Sequence, residues 1–412
     1  VNGTFIQISI AGAYKMQLDY NYNPPQIMHI DLNSCFAIIE QQANPLLRHK
    51  PVAVAAYDTP GGMILASSYE AKAKGVKLGV NVREARQLAP NICIRMPDPA
   101  KYRDAHRRFK HVLLHYTSNV TPKSIDEFVL NLNHSPSLRA GLTMQAIAKQ
   151  IKQEIKQSLG DYVTVNVGIG TNRFLAKTAA GLHKPDGLDV ITGHSLEETY
   201  AHMELLDITG INVRYQARLN AAGIYTPLEF LAAPAEFLAK KVFKSRVGYD
   251  WYARLRGWEV DNVQWGTKTF GHQYALSHKT TNRRELAKIL AKLCEKTGRR
   301  MRSSNYNSHG VHLWLRFADY SHWAKGRHTK AEIYATQDIY LHAHRLLNEA
   351  LIRTYVTQMG VSVYKLTPSR PRQQNLFQGT RLDNHSIAYA SDAVNDKYGE
   401  FTIVPGSMTG TE

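Results

Sequence analysis

Two acidic sites, far apart in the chain and each set against an apolar run, constrain this sequence most. Asp31 closes the run Ile27-Met28-His29-Ile30, and 95 residues later (126 minus 31) Asp126-Glu127 opens Phe128-Val129-Leu130. Such runs read as strands with carboxylates at their ends. The chain around them is basic, with 51 Lys+Arg against 34 Asp+Glu and a formal charge of +17. An acidic site inside a basic protein suits divalent-metal chemistry on a polyanionic partner, nucleic acid above all. On spacing alone the plainer reading stays open: strand-end carboxylates facing solvent or pairing with arginine.

At 412 residues the chain is too long for one core, which points to roughly two to four domains. Apolar content of 43% with 21% charged residues is globular. No apolar run approaches the about 20 residues that span a bilayer, so no membrane partner is expected. Cys35, Cys93 and Cys294 are scattered without CxxC spacing. That argues against a disulfide framework or structural zinc and favours a cytoplasmic location. Residues 1–26 read as a poorly ordered extension.

Strands and helices alternate from 27 to about 191. Helical spacing marks 103–117, 144–159 and 172–182, 127–132 reads as a strand, and Val163, Val165, Val167 and Ile169 alternate like a half-buried strand. The expected packing is an antiparallel sheet with helices on one face. Residues 35–97 interrupt it as a subdomain, 192–258 reads as short helices, and 259–267 as a linker. Residues 268–368 resume an α/β pattern with helices near 283–301 and 337–355. They hold 17 Lys+Arg against 6 Asp+Glu, a surplus of 11. The tail, 369–412, is rich in Gly, Ser, Thr and Asn and is expected to be flexible.

Four strings carry a resemblance: HIDLNSCF at 29–36, ASSYEAKAKGV at 66–76, SIDEF at 124–128 and VGIGTNRFLAKTAAGLHKPDG at 167–187. In that order they resemble the Y-family translesion DNA polymerases, over nearly the whole chain. The resemblance implies an α+β multidomain right hand. Its ferredoxin-like palm would occupy 27–34 and 98–191, its small fingers 35–97, and its helix-hairpin-helix thumb 192–258. An α/β little finger that grips DNA would occupy 268–368. Asp31, Asp126 and Glu127 match the catalytic carboxylates, which with the Leu32 carbonyl would hold two Mg²⁺ ions. Phe36 matches the steric gate that excludes a 2′-hydroxyl, and by itself also reads as a core residue of a helix. Tyr69, Lys72 and Lys184 match the triphosphate-binding positions, although Tyr69 and Lys72 alone read as surface groups. Many relatives carry Arg where Lys72 stands, and a lysine lacks the bidentate fork. The Lys with "DLN" resembles the polymerase V branch and "KPDG" the polymerase IV branch.

The segment 205–224 resembles a helix-hairpin-helix centred on Gly210, with Asn212 in place of a second glycine, which suggests a weakened hairpin. An ordinary helix pair fits it equally. DNA-contact candidates in 268–368 are Arg283, Arg284, Arg299, Arg300 and Arg302, with Lys279, Lys325, Arg327 and Lys330. Gln373-Gln374-Asn375-Leu376-Phe377 resembles the peptide by which bacterial polymerases dock on the sliding clamp. The expected partners are primer-template DNA, deoxynucleoside triphosphates and the clamp, and the need for a regulatory subunit stays open. Two other readings compete: an inactive polymerase-like DNA- and clamp-binding accessory protein, and a palm-fold nucleotide cyclase.

Overall fold

The computed structural model describes residues 18–263, 266–369 and 384–408, which divide after Val263 into two compact units. In the first, the apolar runs flanking the acids become neighbouring strands. The order is β1 (Ile27–Leu32), α1 (Cys35–Ala43), β2 (Val52–Ala55), β3 (Ile64–Ser67), α2 (Tyr69–Lys72), α3 (Val82–Leu88), β4 (Cys93–Arg95) and α4 (Pro99–Leu114). There follow β5 (Val120–Pro122), β6 (Glu127–Asn131), α5 (Pro136–Arg139), α6 (Met144–Leu159), β7 (Val165–Gly170), α7 (Arg173–Leu182) and β8 (Leu188–Ile191). The five-stranded sheet runs β5-β6-β1-β7-β8, antiparallel except where β8 joins β7 in parallel.

One face of this sheet buries Met28, Ile30, Phe128 and Leu130 beneath Phe109 and Leu113 of α4 and Ile147, Ile151 and Ile155 of α6. Each such side chain contributes about 1.5–3 kcal/mol. Both helices start at side-chain caps: Asp98 accepts from the Ala100 and Lys101 amides, and Thr143 from the Ala146 amide. The expectation of helices on one face only is corrected. Helix α7 lies on the other, setting Ala176 against Ile27 and Val129. Gly168 and Gly170 permit this approach, since Cβ atoms there would come within 2.1 Å of the Ala176 carbonyl and 2.6 Å of its nitrogen. All six residues of β7 are therefore buried, and the half-buried alternation does not hold.

A second sheet, β3-β2-β4, packs around Ala53, Ile64, Val82 and Ala85 in the segment expected to form the fingers. Helix α1 instead gives Cys35, Ile38 and Ile39 to the palm core, so the expected boundary at 35 cuts into palm structure. The thumb packs α8 (Leu196–Ala201), α9 (Val213–Asn220), α10 (Pro227–Ala232), α11 (Ala235–Phe237) and α12 (Val247–Leu255) around Tyr200, Phe230 and Trp251. The end of the presumed loose extension is pinned here. Leu18 and Tyr20 pack on this cluster, the Asn21 amide donates to the Arg256 carbonyl (2.8 Å), and its side chain donates to Gly257 (3.0 Å). The linker's first residues are also tied, Glu259 to Arg173 at 2.7 Å and Asp261 to Arg254 at 2.6 Å.

The second unit contains β9 (Thr269–Thr280), α13 (Arg283–Ser303), β10 (Tyr306–Phe317), β11 (His322–Ile333), α14 (Thr336–Glu349), β12 (Val356–Pro368) and α15 (Asn384–Tyr398). Its antiparallel sheet, β11-β10-β12-β9, buries Val311, Leu313, Leu315 and Val361 against Leu290 and Leu293 of α13 and Ile339 and Leu346 of α14. Helix α14 stops at Glu349, short of 355, where the Arg283 guanidinium takes the Leu347 and Ala350 carbonyls at 2.5 and 2.6 Å. A tail flexible throughout is corrected as well: α15 forms, buries Ala388 and Asn395, and presents Asp392 to Arg302 of α13 at 2.6 Å. Among the described residues no helix is long and apolar enough to cross a membrane. The three cysteines are free.

Candidate active site

Strand pairing brings the two acidic sites together. Asp31 and Glu127 are direct cross-strand partners, and the Leu32 amide donates to the Asp126 carbonyl at 2.9 Å. The Leu32 side chain belongs to the core, which leaves its backbone as the part able to serve an ion. Burial pushes the Asp31 carboxyl above its ordinary range. Lys184 opposes that shift, while the crowding of Glu127 and Asp126 adds to it.

The side chains, however, do not form a ready cage. Among the described residues no three acidic, imidazole or thiol groups are gathered as metal ligands. Asp31 is bonded to Lys184, Glu127 to Lys177 at 2.9 Å, and Asp126 to the Ser124 hydroxyl. The three carboxylates lie on adjoining backbone, each held by a different neighbour. Lys177 lies on α7, which packs on β1 and β7, and Lys184 lies in the turn that follows α7.

Across from the acids lies a cationic flank. Tyr69 and Lys72 sit on α2, whose first turn is capped by Ser68. Lys72 lies 4.6 Å from the centre of the Tyr69 ring and donates to the Ser34 hydroxyl at 2.7 Å. Burial lowers its ammonium and the charge of Lys184 lowers it further. Burial raises the Tyr69 hydroxyl, against hydrogen bonds from Ser34 and Asn33. Phe36, on α1, is partly exposed and stacks on Tyr102 with ring centres 4.3 Å apart and planes 14° apart. Tyr102 is in turn held by its bond to the buried Glu40 (2.9 Å), which also takes Lys101 at 3.0 Å. Phe36 is thus a partly exposed ring clamped against Tyr102.

Sequence reasoning missed Lys177, Asn33 and Asn166. Asn33 and Asn166 are buried and bonded to each other at 2.9 Å. The two glycines of VNVGIG, which announce close backbone contact, were the available signal that Asn166 had no solvent to face.

The nucleic-acid candidates divide. Gly210 lies in a left-handed turn before α9. The Asn212 side chain then accepts from the Arg214 and Tyr215 amides, both at 3.0 Å, and so occupies two donors that a helix terminus offers a phosphate. Arg302 is 7% exposed and locked to Asp392, Arg299 pairs with Asp396 at 2.6 Å, and Arg283 caps α14. These three are withdrawn as DNA contacts because their guanidinium groups serve their own unit. Lys325 and Arg327 share Glu349 at 2.8 and 3.1 Å. Arg284, Arg300, Lys279 and Lys330 are exposed. The clamp-like peptide, Gln373 to Phe377 with Leu376, lies outside the described residues.

Known proteins resemble the chain over most of its length. The impB/mucB/samB family model matches residues 30–181, and the model of that family's C-terminal domain matches 267–376. DNA polymerase IV of Moorella thermoacetica is 32% identical over 400 residues, covering 93% of this chain and 96% of that protein. DNA polymerase IV of Pelotomaculum thermopropionicum is 30% identical, covering 92% and 94%. Among solved structures, a Y-family DNA polymerase chimera of Dbh and Dpo4 aligns with a TM-score of 0.72 at 24% identity, covering 83% of this chain and 99% of that one. An insertion ternary complex of Dbh DNA polymerase aligns at 0.55, covering 82% and 98%. At that identity the structures speak to the fold, which they share.

Proposed function

The chain belongs to the impB/mucB/samB family, the Y-family DNA polymerases, and from that premise we propose that its three strand-end acids run nucleotidyl transfer during synthesis across damaged bases. It is a DNA-directed DNA polymerase. The observation that carries the mechanism is the pairing of Asp31 with Glu127 beside the bond from Leu32 to Asp126. Like-charge crowding at Asp31 fits a divalent cation, which would relieve it. Asp31, Asp126, Glu127 and the Leu32 carbonyl would hold two Mg²⁺ ions, which when bound activate the primer 3′-hydroxyl and neutralise the triphosphate. Holding them would require Asp31 to exchange Lys184, and Glu127 to exchange Lys177, for an ion. Tyr69, Lys72 and the released Lys184 then face the β and γ phosphates and stabilise the leaving pyrophosphate. Phe36, fixed by Tyr102, lies under the sugar and selects deoxynucleotides by shape.

Primer-template DNA is gripped through exposed cations such as Arg284 and Arg300, and the Gln373–Phe377 peptide addresses a sliding clamp. Primer extension opposite an abasic site tests the reading. A chain carrying Asp126→Ala and Glu127→Ala loses extension while keeping DNA affinity; extension at the normal rate excludes these acids from the chemistry. The accessory-protein reading requires the unsubstituted chain to bind DNA without extending it. The cyclase reading requires that it fail to bind primer-template at low salt.

A further inference from the structure

Lys184 sits in a four-residue turn, Lys184 to Gly187, between α7 and β8, and a lysine so placed needs something to fix its root. We infer that the buried amide pair Asn33–Asn166 is the device that positions Lys184 between the Asp31 carboxylate and the triphosphate. The inference rests on the reading of Lys184 as a triphosphate lysine.

The pair grips the turn on both sides of Lys184. On one side, the Asn166 amide nitrogen donates to the His183 carbonyl at 2.9 Å and to Ala180, the last turn of α7, at 3.1 Å. On the other, the Asn33 oxygen accepts from the Asp186 amide at 3.0 Å, and the Asn166 oxygen from Gly187 at 3.3 Å. The two side chains are joined at 2.9 Å. Asn33 is 1% exposed and Asn166 fully buried. The bond between the two amides and the one to Ala180 are fully buried, where water offers no replacement, and the bonds to His183, Asp186 and Gly187 are half-buried.

Three further facts point the same way. Asp186 has a left-handed backbone (φ 59°), unusual for a residue with a side chain, and it is held there by the Asn33 bond above and by Lys152 and Lys156 of α6 at 3.0 and 3.3 Å below. At Gly187 a Cβ would lie 2.0 Å from the His183 carbonyl and 3.0 Å from the Asn166 nitrogen, so the turn closes directly on the amide. Asn166 is also the cross-strand partner of Asp31, which places the foot of the device beside the carboxylate that Lys184 touches.

The chemistry explains why both residues are amides. Each must donate at one end and accept at the other, which a carboxylate cannot do. A charge at either position would stand buried beside Asp31, already crowded by Glu127 and Asp126. A neutral pair holds the lysine without competing for it.

The test is steady-state single-nucleotide insertion by the full chain on primer-template DNA, with Asn166→Leu, Lys184→Ala and the double variant. Asn166→Leu raises the deoxynucleotide KM about tenfold with kcat and primer-template affinity little changed. In the Lys184→Ala background it adds no further rise. A packing role would instead lower the melting temperature without moving KM. An unchanged KM in folded Asn166→Leu overturns the inference, as does the same tenfold rise on top of Lys184→Ala. Lys184→Ala alone leaving KM untouched overturns the underlying reading of the lysine, a distinct result. Asn33→Ala leaves β7 intact and carries the same expectation, including no further rise in the Lys184→Ala background. A rise conveyed through Tyr69 would persist there and overturn the inference. A misfolded Asn166→Leu chain therefore does not block the test.

Discussion

Positive charge does different work in the palm and in the C-terminal unit. Lys177 and Lys184 reach the acids from side chains 39% and 38% exposed, so ligand and solvent have access to both partners. Arg302, with a side chain 4% exposed, bonds Asp392 in a pocket closed by α15. From the sequence, Lys184 reads as a phosphate-binding position by resemblance and Arg302 as a DNA-contact candidate, while Lys177 draws no notice. Their burial separates them: an accessible ion pair can exchange its partner for a metal or phosphate, whereas a buried one is part of the scaffold.

The hardest test of that contrast is Arg302→Ala. Stranding Asp392 should destabilise the C-terminal unit by about 3 kcal/mol, read as loss of hydrogen-exchange protection in α15 and a lower melting temperature. An unchanged melt with weakened DNA binding would move Arg302 back among the contact residues. Next comes Phe36→Ala, the apolar counterpart of an accessible functional group. Discrimination against ribonucleotides should fall on the order of a hundredfold, checked by competing nucleotide incorporation; retained discrimination would leave the ring a core residue.

Arg284→Ala and Arg300→Ala sharpen the comparison from the exposed side. Each should weaken DNA binding and lower the salt slope by about 1, with stability altered by no more than about 0.5 kcal/mol. Titrations at several salt concentrations decide it. The smallest effect belongs to Asp396→Asn: the Asp396 side chain is 72% exposed although its partner Arg299 is half-buried. Its loss should cost below about 1 kcal/mol by denaturant titration. A cost equal to that of Arg302→Ala would mean that exposure does not sort these pairs.

The same principle explains what could be read from the sequence alone. Asp31, Asp126 and Glu127 were legible because short apolar runs fix strands, and strand ends fix where the acids lie. Helix α6 was legible from Met144 to Leu159 because one apolar face runs its whole length. Asn166 was not, because alternation of Val165 and Val167 implies an outward side chain until α7 is known to cover that face. Helix α15 was hidden for another reason. Composition counted its polar residues without showing that Ala388, Asp392 and Asn395 recur at helical spacing on one side.

The most direct measurement is metal-dependent single-nucleotide insertion by Asp31→Asn on undamaged primer-template, with DNA affinity measured in parallel. Asp31 as the shared metal ligand predicts a rate lower by about a thousandfold or more at unchanged DNA affinity. An Asp31→Asn chain that inserts nucleotides at the unsubstituted rate, with the same Mg²⁺ requirement, would contradict the account.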